Sequence, residues 1–225
     1  MLCRRAVLIG LTVAMILVLG SCAGGPKGPL ASHPATKGWQ GVIADDLSNC
    51  VFSPGSWAIE DGALTRKGGG SIWTKARYED FILDLEFKVD KETNSGVFFR
   101  TADINDPVQT GIEVQIYDSH GTEKATKYDC GAIYDIQAPS ANSVKPAGEW
   151  NRMTIMAKGS NISVVMNDRQ VINIDLDNWT EPHKNPDGTK NKFNTAYKDS
   201  ARVGAFGFQD HGKPVWYRNI RVKKL

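Results

Sequence analysis

The chain has 225 residues, 23% of them charged and 41% hydrophobic, with a formal net charge of +2. That length accommodates one β-rich domain and a leader. Charges so nearly balanced form no basic surface for nucleic acid, and losing Arg4 and Arg5 with the leader takes the formal charge from +2 to 0.

Arg4 and Arg5 precede an uncharged run over residues 6–19, and Gly20, Ser21 and Cys22 follow. This is the order of a secretory leader, and the run is too short to span a bilayer. Leu19-Gly-Ser-Cys22 resembles a bacterial lipobox. The expectation is a lipoprotein signal peptide over residues 1–21, lipidation at Cys22, and export to a lipid-anchored position at the cell envelope, on its periplasmic or outer-membrane face. Lipid would hold the protein to the membrane, since no basic patch would do so. Residues 22–38, rich in Gly, Pro, Ala and Ser, read as a flexible tether, with the folded domain at residues 39–225. Cys50 and Cys130 then remain in a compartment that permits disulfides; they can pair or stay as two separate thiols, and their Cα separation decides.

From Trp39 onward the hydrophobic period is two. In Phe81-Ile-Leu-Asp-Leu-Glu-Phe-Lys-Val89 the apolar residues Phe81, Leu83, Leu85, Phe87 and Val89 share one face, with Asp84, Glu86 and Lys88 on the other. Further strands are expected at 56–65, 71–74, 95–101, 111–117, 131–136, 153–157, 162–166, 170–176, 203–209 and 215–222. Lys158-Gly-Ser-Asn161 and Asn167-Asp168 read as hairpin turns. No amphipathic helix is visible. Short strands without helical crossovers predict an all-β, two-sheet antiparallel sandwich. One long irregular segment, residues 178–200, carries Trp179, Phe193 and Tyr197 and reads as an ordered flap over a site.

Several segments, taken in order, resemble the bacterial 3-keto-disaccharide hydrolase domain family. They are Trp57-Ala-Ile-Glu-Asp-Gly-Ala-Leu64, Asn94-Ser-Gly-Val-Phe-Phe-Arg100, Gly111-Ile-Glu-Val-Gln-Ile116, Gly131-Ala-Ile-Tyr134, Gly148-Glu-Trp-Asn151 and Gly207-Phe-Gln-Asp-His-Gly212. The resemblance covers residues 39–225. It implies a concanavalin-A-like lectin/glucanase jelly roll, a hydrolase acting on 3-keto-glycosides or 3-keto-disaccharides, and a periplasmic or cell-surface setting. It also suggests a functional link to a sugar 3-oxidoreductase that makes the ketone. The competing reading is a non-catalytic carbohydrate-binding module on the same sandwich.

Strand parity sorts the polar residues. Glu113, Gln115 and Tyr117 alternate with Ile112, Val114 and Ile116, and Arg100 alternates with Val97 and Phe99. Glu113, Gln115, Tyr117 and Arg100 are therefore expected together on a concave sheet face. Gln209, Asp210 and His211 sit where another strand runs out into a turn. In Glu113-Val-Gln-Ile-Tyr-Asp118, compared with sandwich glucanases, Gln115 replaces a middle Asp and Asp118 replaces a Glu. Retaining hydrolysis needs two carboxyls about 5 Å apart, so ordinary double displacement is a poor match.

A ketone at C3 opens another route. It acidifies the C2 proton, so that a base can remove it, the C1 substituent can leave, and water can add. Glu113 or His211 would be the base. Arg100, Gln209 or a divalent metal ion would stabilise the oxyanion, and Asp210 would orient His211. The expected site is thus Glu113, His211 and Arg100 for catalysis, with Gln115, Tyr117, Gln209, Asp210 and Trp179 binding substrate. No zinc spacing is present, whereas loop oxygens could still hold calcium. Trp73, Trp150, Trp179 and Trp216 could stack on sugar rings; Trp57 and Trp150 fall in strand patterns and are expected in the core, which leaves Trp179 and Trp216 as the better platforms.

Overall fold

The computed structural model describes residues 30–225; the leader, the lipobox and Cys22 lie outside them. The strands are β1 (Gln40–Gly41), β2 (Cys50–Val51), β3 (Trp57–Glu60), β4 (Ala63–Arg66), β5 (Ile72–Tyr78), β6 (Phe81–Val89), β7 (Asn94–Thr101), β8 (Ile112–Tyr117), β9 (Asn151–Lys158), β10 (Asn161–Met166), β11 (Arg169–Asp175), β12 (Gly204–Phe208) and β13 (Val215–Lys224). They form two antiparallel sheets. An eight-stranded sheet runs β11-β10-β9-β6-β13-β4-β3, with β1 pairing β13, and a five-stranded sheet runs β2-β5-β12-β7-β8. A short helix, α1 (Pro107–Thr110), precedes β8. No helix among the described residues is long and apolar enough to cross a membrane.

The core lies between the sheets, where the alternating side chains meet. Phe81, Leu83, Leu85, Phe87 and Val89 of β6 are all fully buried, as are Val97, Phe99, Val114, Ile116, Phe206 and Phe208 of the facing sheet. Each such side chain gives roughly 1.5–3 kcal/mol on leaving water. Cys50 and Cys130 are both buried and unbridged.

Two local features depart from simple alternation. Residues 56–65 are a hairpin, because Asp61 (φ 50°) and Gly62 (φ 73°) form a two-residue turn of left-handed backbone between β3 and β4. In β7, Arg100 (φ 53°) forms a bulge: Ala205 of β12 pairs with Thr101, yet Gly207 pairs with Phe98. The extra residue reverses the expected parity, so Arg100 points into the sandwich.

The chain is packed from its first described residue. Leu30 is buried against Met156, Val165 and Ile82 on the outer face of the eight-stranded sheet. The Pro34 carbonyl accepts from Arg152 Nη2 at 2.7 Å, and His33 bonds Thr154. Residues 30–38, expected as tether, are therefore part of the domain.

Candidate functional site

The site is built on the outer face of the five-stranded sheet. Glu113 of β8 stands opposite Phe98 of β7, which stands opposite Gly207 of β12, itself opposite Trp73 of β5. In the next row Gln115 faces Gly96, and the Gln209 amide donates to the Gly96 carbonyl at 2.9 Å. Asn94 and Tyr117 form a third row. Directly opposed residues share a face, so Trp73, Phe98, Glu113, Gln115 and Gln209 converge.

Two glycines make the convergence physically feasible. A Cβ on Gly207 would fall 2.1 Å from the Trp73 ring, and one on Gly96 would fall 2.1 Å from Glu113 Oε1. The indole and the carboxylate thus lie flat over the bare backbone. The Trp73 and Phe98 rings are 5.6 Å apart and tilted, and together they wall the floor beside Glu113.

A segment between β8 and β9 extends the face. Val114 bridges Ile133, and the Tyr134 amide donates to the Glu113 carbonyl at 3.0 Å, so Tyr134 stands beside Glu113. The Lys192 ammonium sits 4.2 Å from the centre of the Tyr134 ring, held by a cation–π contact. Burial pushes the Glu113 carboxyl up to about 7, and the positive charge of Lys192 pulls the other way. Burial, then the Glu113 charge, raises the Tyr134 phenol and keeps it protonated. The arrangement holds a carboxyl raised by burial, a phenol and an ammonium on one face, the kinds of group that proton transfer beside a developing anion requires.

Polar acceptors surround these groups. Gln115 donates through Nε2 to the Tyr128 carbonyl at 3.2 Å, while the buried oxygens Gln115 Oε1, Gln209 Oε1 and Asn94 Oδ1 accept no bond from the protein. A sugar hydroxyl is a donor that such amides can take up. Among the described residues, no group of three or more His, Cys, Asp or Glu is placed to hold a metal ion.

The remaining expected residues are placed differently. Arg100 is fully buried. It donates to the Glu79 and Gly159 carbonyls at 2.9 and 2.7 Å and pairs with Asp80 at 2.9 Å. It ties the two sheets together rather than sharing the Glu113 face, because the bulge turned it. Asp210 pairs with Arg66 and accepts from the Gly70 and Gly212 amides at 2.8 and 2.9 Å, so its carboxylate caps a turn instead of orienting His211. His211 is exposed, two residues beyond Gln209 at the end of the face. Asp118 accepts from the Glu92 amide at 2.9 Å, which leaves it a turn cap and not a second carboxylate beside Glu113.

Trp179 is buried, its Nε1 donating to Asn185 Oδ1 at 3.0 Å, so it anchors the 178–200 segment and offers no stacking face. Trp216 and Trp150 lie on the eight-stranded sheet, where Lys88 stands 4.6 and 5.2 Å from their rings and Arg218 4.0 Å from Trp150. Neither reaches Glu113. Tyr117 is exposed opposite Asn94, at the margin of the face. Sequence reasoning misses Tyr134 and Lys192, and it ranks Trp73, one of four tryptophans able to stack on a sugar ring, below Trp179 and Trp216. Trp73 lies in an expected strand, whereas residues 131–136, expected as a strand, are a turn with isolated bridges at Ile133, so parity could not place Tyr134; nothing marks Lys192 among the lysines of its loop.

The site-bearing domain is an antiparallel two-sheet sandwich with a half-buried carboxylate and aromatic walls on one outer sheet face. A Parabacteroides distasonis protein provisionally described as a glycosyl hydrolase has the same architecture, at TM-score 0.79 and 37% identity over 83% of this chain and 99% of that one. The protein belongs to the 3-keto-alpha-glucoside-1,2-lyase-like domain family, the match spanning residues 34–223. It is also 29% identical to a 3-keto-disaccharide hydrolase of Bacteroides thetaiotaomicron, over 84% of this chain and 74% of that protein. A carbohydrate-binding module of Bacillus subtilis shares the fold at TM-score 0.51 and 13% identity. A hydrolase acting on carbohydrate is the general class these relatives define.

Proposed function

We propose that this domain cleaves the glycosidic bond of a 3-keto-glycoside, with Glu113 as the base. The observation that carries the reading is the placement of the Glu113 carboxylate on the bare backbone of Gly96, next to Tyr134, whose ring holds the Lys192 ammonium; burial raises that carboxyl to about 7. Glu113 takes the C2 proton and the electron pair moves onto the C3 oxygen as an enolate. Lys192 stabilises that oxygen electrostatically. The ketone re-forms as the C1–O bond breaks, leaving a C1–C2 double bond. The departing oxygen takes one proton, and the Tyr134 phenol supplies a donor on the same face. Water then adds its oxygen at C1 while C2 regains a proton, completing hydrolysis. Trp73 gives the sugar ring an apolar wall.

This assignment gives Glu113 the role that His211 shared at first, and Lys192 the role considered for Arg100 and Gln209. Export, lipidation at Cys22 and supply of the ketone by a sugar 3-oxidoreductase complete the proposal; they rest on the leader sequence and on the chemistry of the substrate.

The test compares purified wild type with Glu113→Gln on 3-keto-glucosides and on unoxidised disaccharides, with and without chelator. Turnover of the keto substrates alone, falling about a hundredfold or more in Glu113→Gln, supports the mechanism. Binding without turnover of either substrate by the wild type would favour the carbohydrate-binding module.

A further inference from the structure

The Lys192 ammonium is carried by a long loop, yet both peptide groups of Lys192 are gripped. Its amide donates to Asp135 Oδ2 at 2.9 Å. Its carbonyl accepts from Gln109 Nε2 at 3.2 Å, and Gln109 Oε1 accepts from the Asn194 amide at 2.9 Å. One glutamine side chain therefore clamps the backbone on both sides of Phe193.

The two anchors are themselves fixed. Asp135 is buried, and its Oδ1 accepts from the Tyr128 hydroxyl at 2.9 Å and pairs with Lys127 at 2.6 Å. Gln109 lies in α1, and α1 leads directly into the strand that carries Glu113. The Gly111 amide donates to the Pro107 carbonyl at 2.9 Å, and the Ala102 amide to the Thr110 carbonyl at 3.1 Å, so the turn is bonded to itself and to β7. Gln109 and Glu113 thus belong to one continuous piece of bonded backbone. On the loop, Phe193 is buried and packs edge-on against Tyr197, their ring centres 4.9 Å apart. That packing and the clamp act on the same short stretch.

We propose that Gln109 is a positioning residue for the reaction: by clamping the loop at Lys192 and Asn194, it fixes the Lys192 ammonium against the Glu113 face. Gln109 makes no contact with a substrate in this role and acts through Lys192. Asp135 is the second arm of the same brace. The inference rests on the proposed use of Glu113 and Lys192, but its principal test needs no turnover.

The experiment follows the Glu113 carboxyl by NMR in substrate-free protein labelled with carboxyl-¹³C glutamate, the resonance being assigned by its loss in Glu113→Gln. Gln109→Met removes both bonds at nearly constant volume, and Lys192→Met removes the charge. With the ammonium released, Glu113 should titrate higher, by on the order of half a pH unit or more, in both variants. On a keto substrate, Gln109→Met should lower kcat by about tenfold with KM little changed, the pattern of misplaced catalytic groups. A shift in Lys192→Met without one in Gln109→Met overturns the brace while leaving the site intact. No shift in either variant overturns the coupling it depends on. Should Gln109→Met fold poorly, Gln109→Ala reads the same titration. Absence of turnover by the wild type would remove the proposed function, while the titration would still decide whether Gln109 holds the ammonium near Glu113.

Discussion

The Glu113 carboxylate lies across Gly96, so close that a Cβ on that glycine would stand 2.1 Å from Oε1. A bare backbone beneath the carboxylate lets it lie down against the sheet, half-buried. That contact, more than any ion pair, accounts for a carboxyl pushed up to about 7, since burial is the leading cause.

Gly96→Ala should therefore lift the carboxylate off the strand. The three atoms nearest the new methyl all belong to the flexible Glu113 side chain, from Cγ to Oε1, so the fold should persist. Activity on a keto substrate should fall by about tenfold or more, and Glu113 should titrate closer to an ordinary carboxyl. A melting curve, a rate and a carboxyl titration check this. An alanine variant with the rate and pH profile of the wild type would contradict it.

The pH dependence has a definite sign. The base must be ionised, so kcat/KM should rise with pH through about 7 instead of near the ordinary 4.5. For stability the sign is opposite. A carboxyl raised in the folded state favours the protonated form, and that stabilisation is fully present below 4.5 and lost as pH rises through about 7. Glu113→Gln should match the wild type at pH 4 and melt above it at pH 8. Equal melting temperatures at both values would mean that Glu113 is not desolvated as described.

Arg100 should behave as a structural residue. Arg100→Met leaves the Glu79 and Gly159 carbonyls without that donor and removes the pair with the partly exposed Asp80, at a cost of about 1–3 kcal/mol for each buried group left unsatisfied. Molecules that remain folded should turn over keto substrate at near the wild-type rate. Denaturant melts paired with kcat per folded molecule separate the two effects. A stable but inactive Arg100→Met would return Arg100 to the catalytic site.

His33 latches the first described segment in one protonation state. The Asp168 amide donates to Nε2 at 3.1 Å, so Nδ1 carries the proton and donates to Thr154 Oγ1 at 2.7 Å; that hydroxyl in turn donates to Asp84. Burial, then the nearby Arg152, lowers the His33 pKa, with Asp84 and Asp168 partly opposing. The latch is therefore at full strength above the unfolded value of 6.5 and weakens as pH falls from there through the lowered folded value. Hydrogen exchange at residues 33–38 should accelerate between pH 7.5 and 5 relative to the core. His33→Gln should flatten that dependence, and parallel profiles in the two proteins would argue against the latch.

The sequence by itself determined the sandwich and most of the site's floor. A period of two is a local property, so the inward set of β6 and the outward pair Glu113 and Gln115 followed from spacing alone. The spacing over residues 56–65 predicts one strand and not the hairpin at Asp61-Gly62, although that dipeptide suits a left-handed turn. Only the tertiary structure decided the rest. A single bulge at Arg100 reversed its face, and a bulge is set by what packs across the sheet, which here includes the close approach of Gly204 to the Arg100 backbone. Residues 30–38 had the composition of a linker, but Leu30 and His33 found partners on β9, β10 and the turn beyond. Lys192 came to the Tyr134 ring, next to Glu113, with its backbone held by Asp135 and Gln109, both remote in sequence. Contacts of that kind depend on three-dimensional closure, and no periodicity in the chain records them.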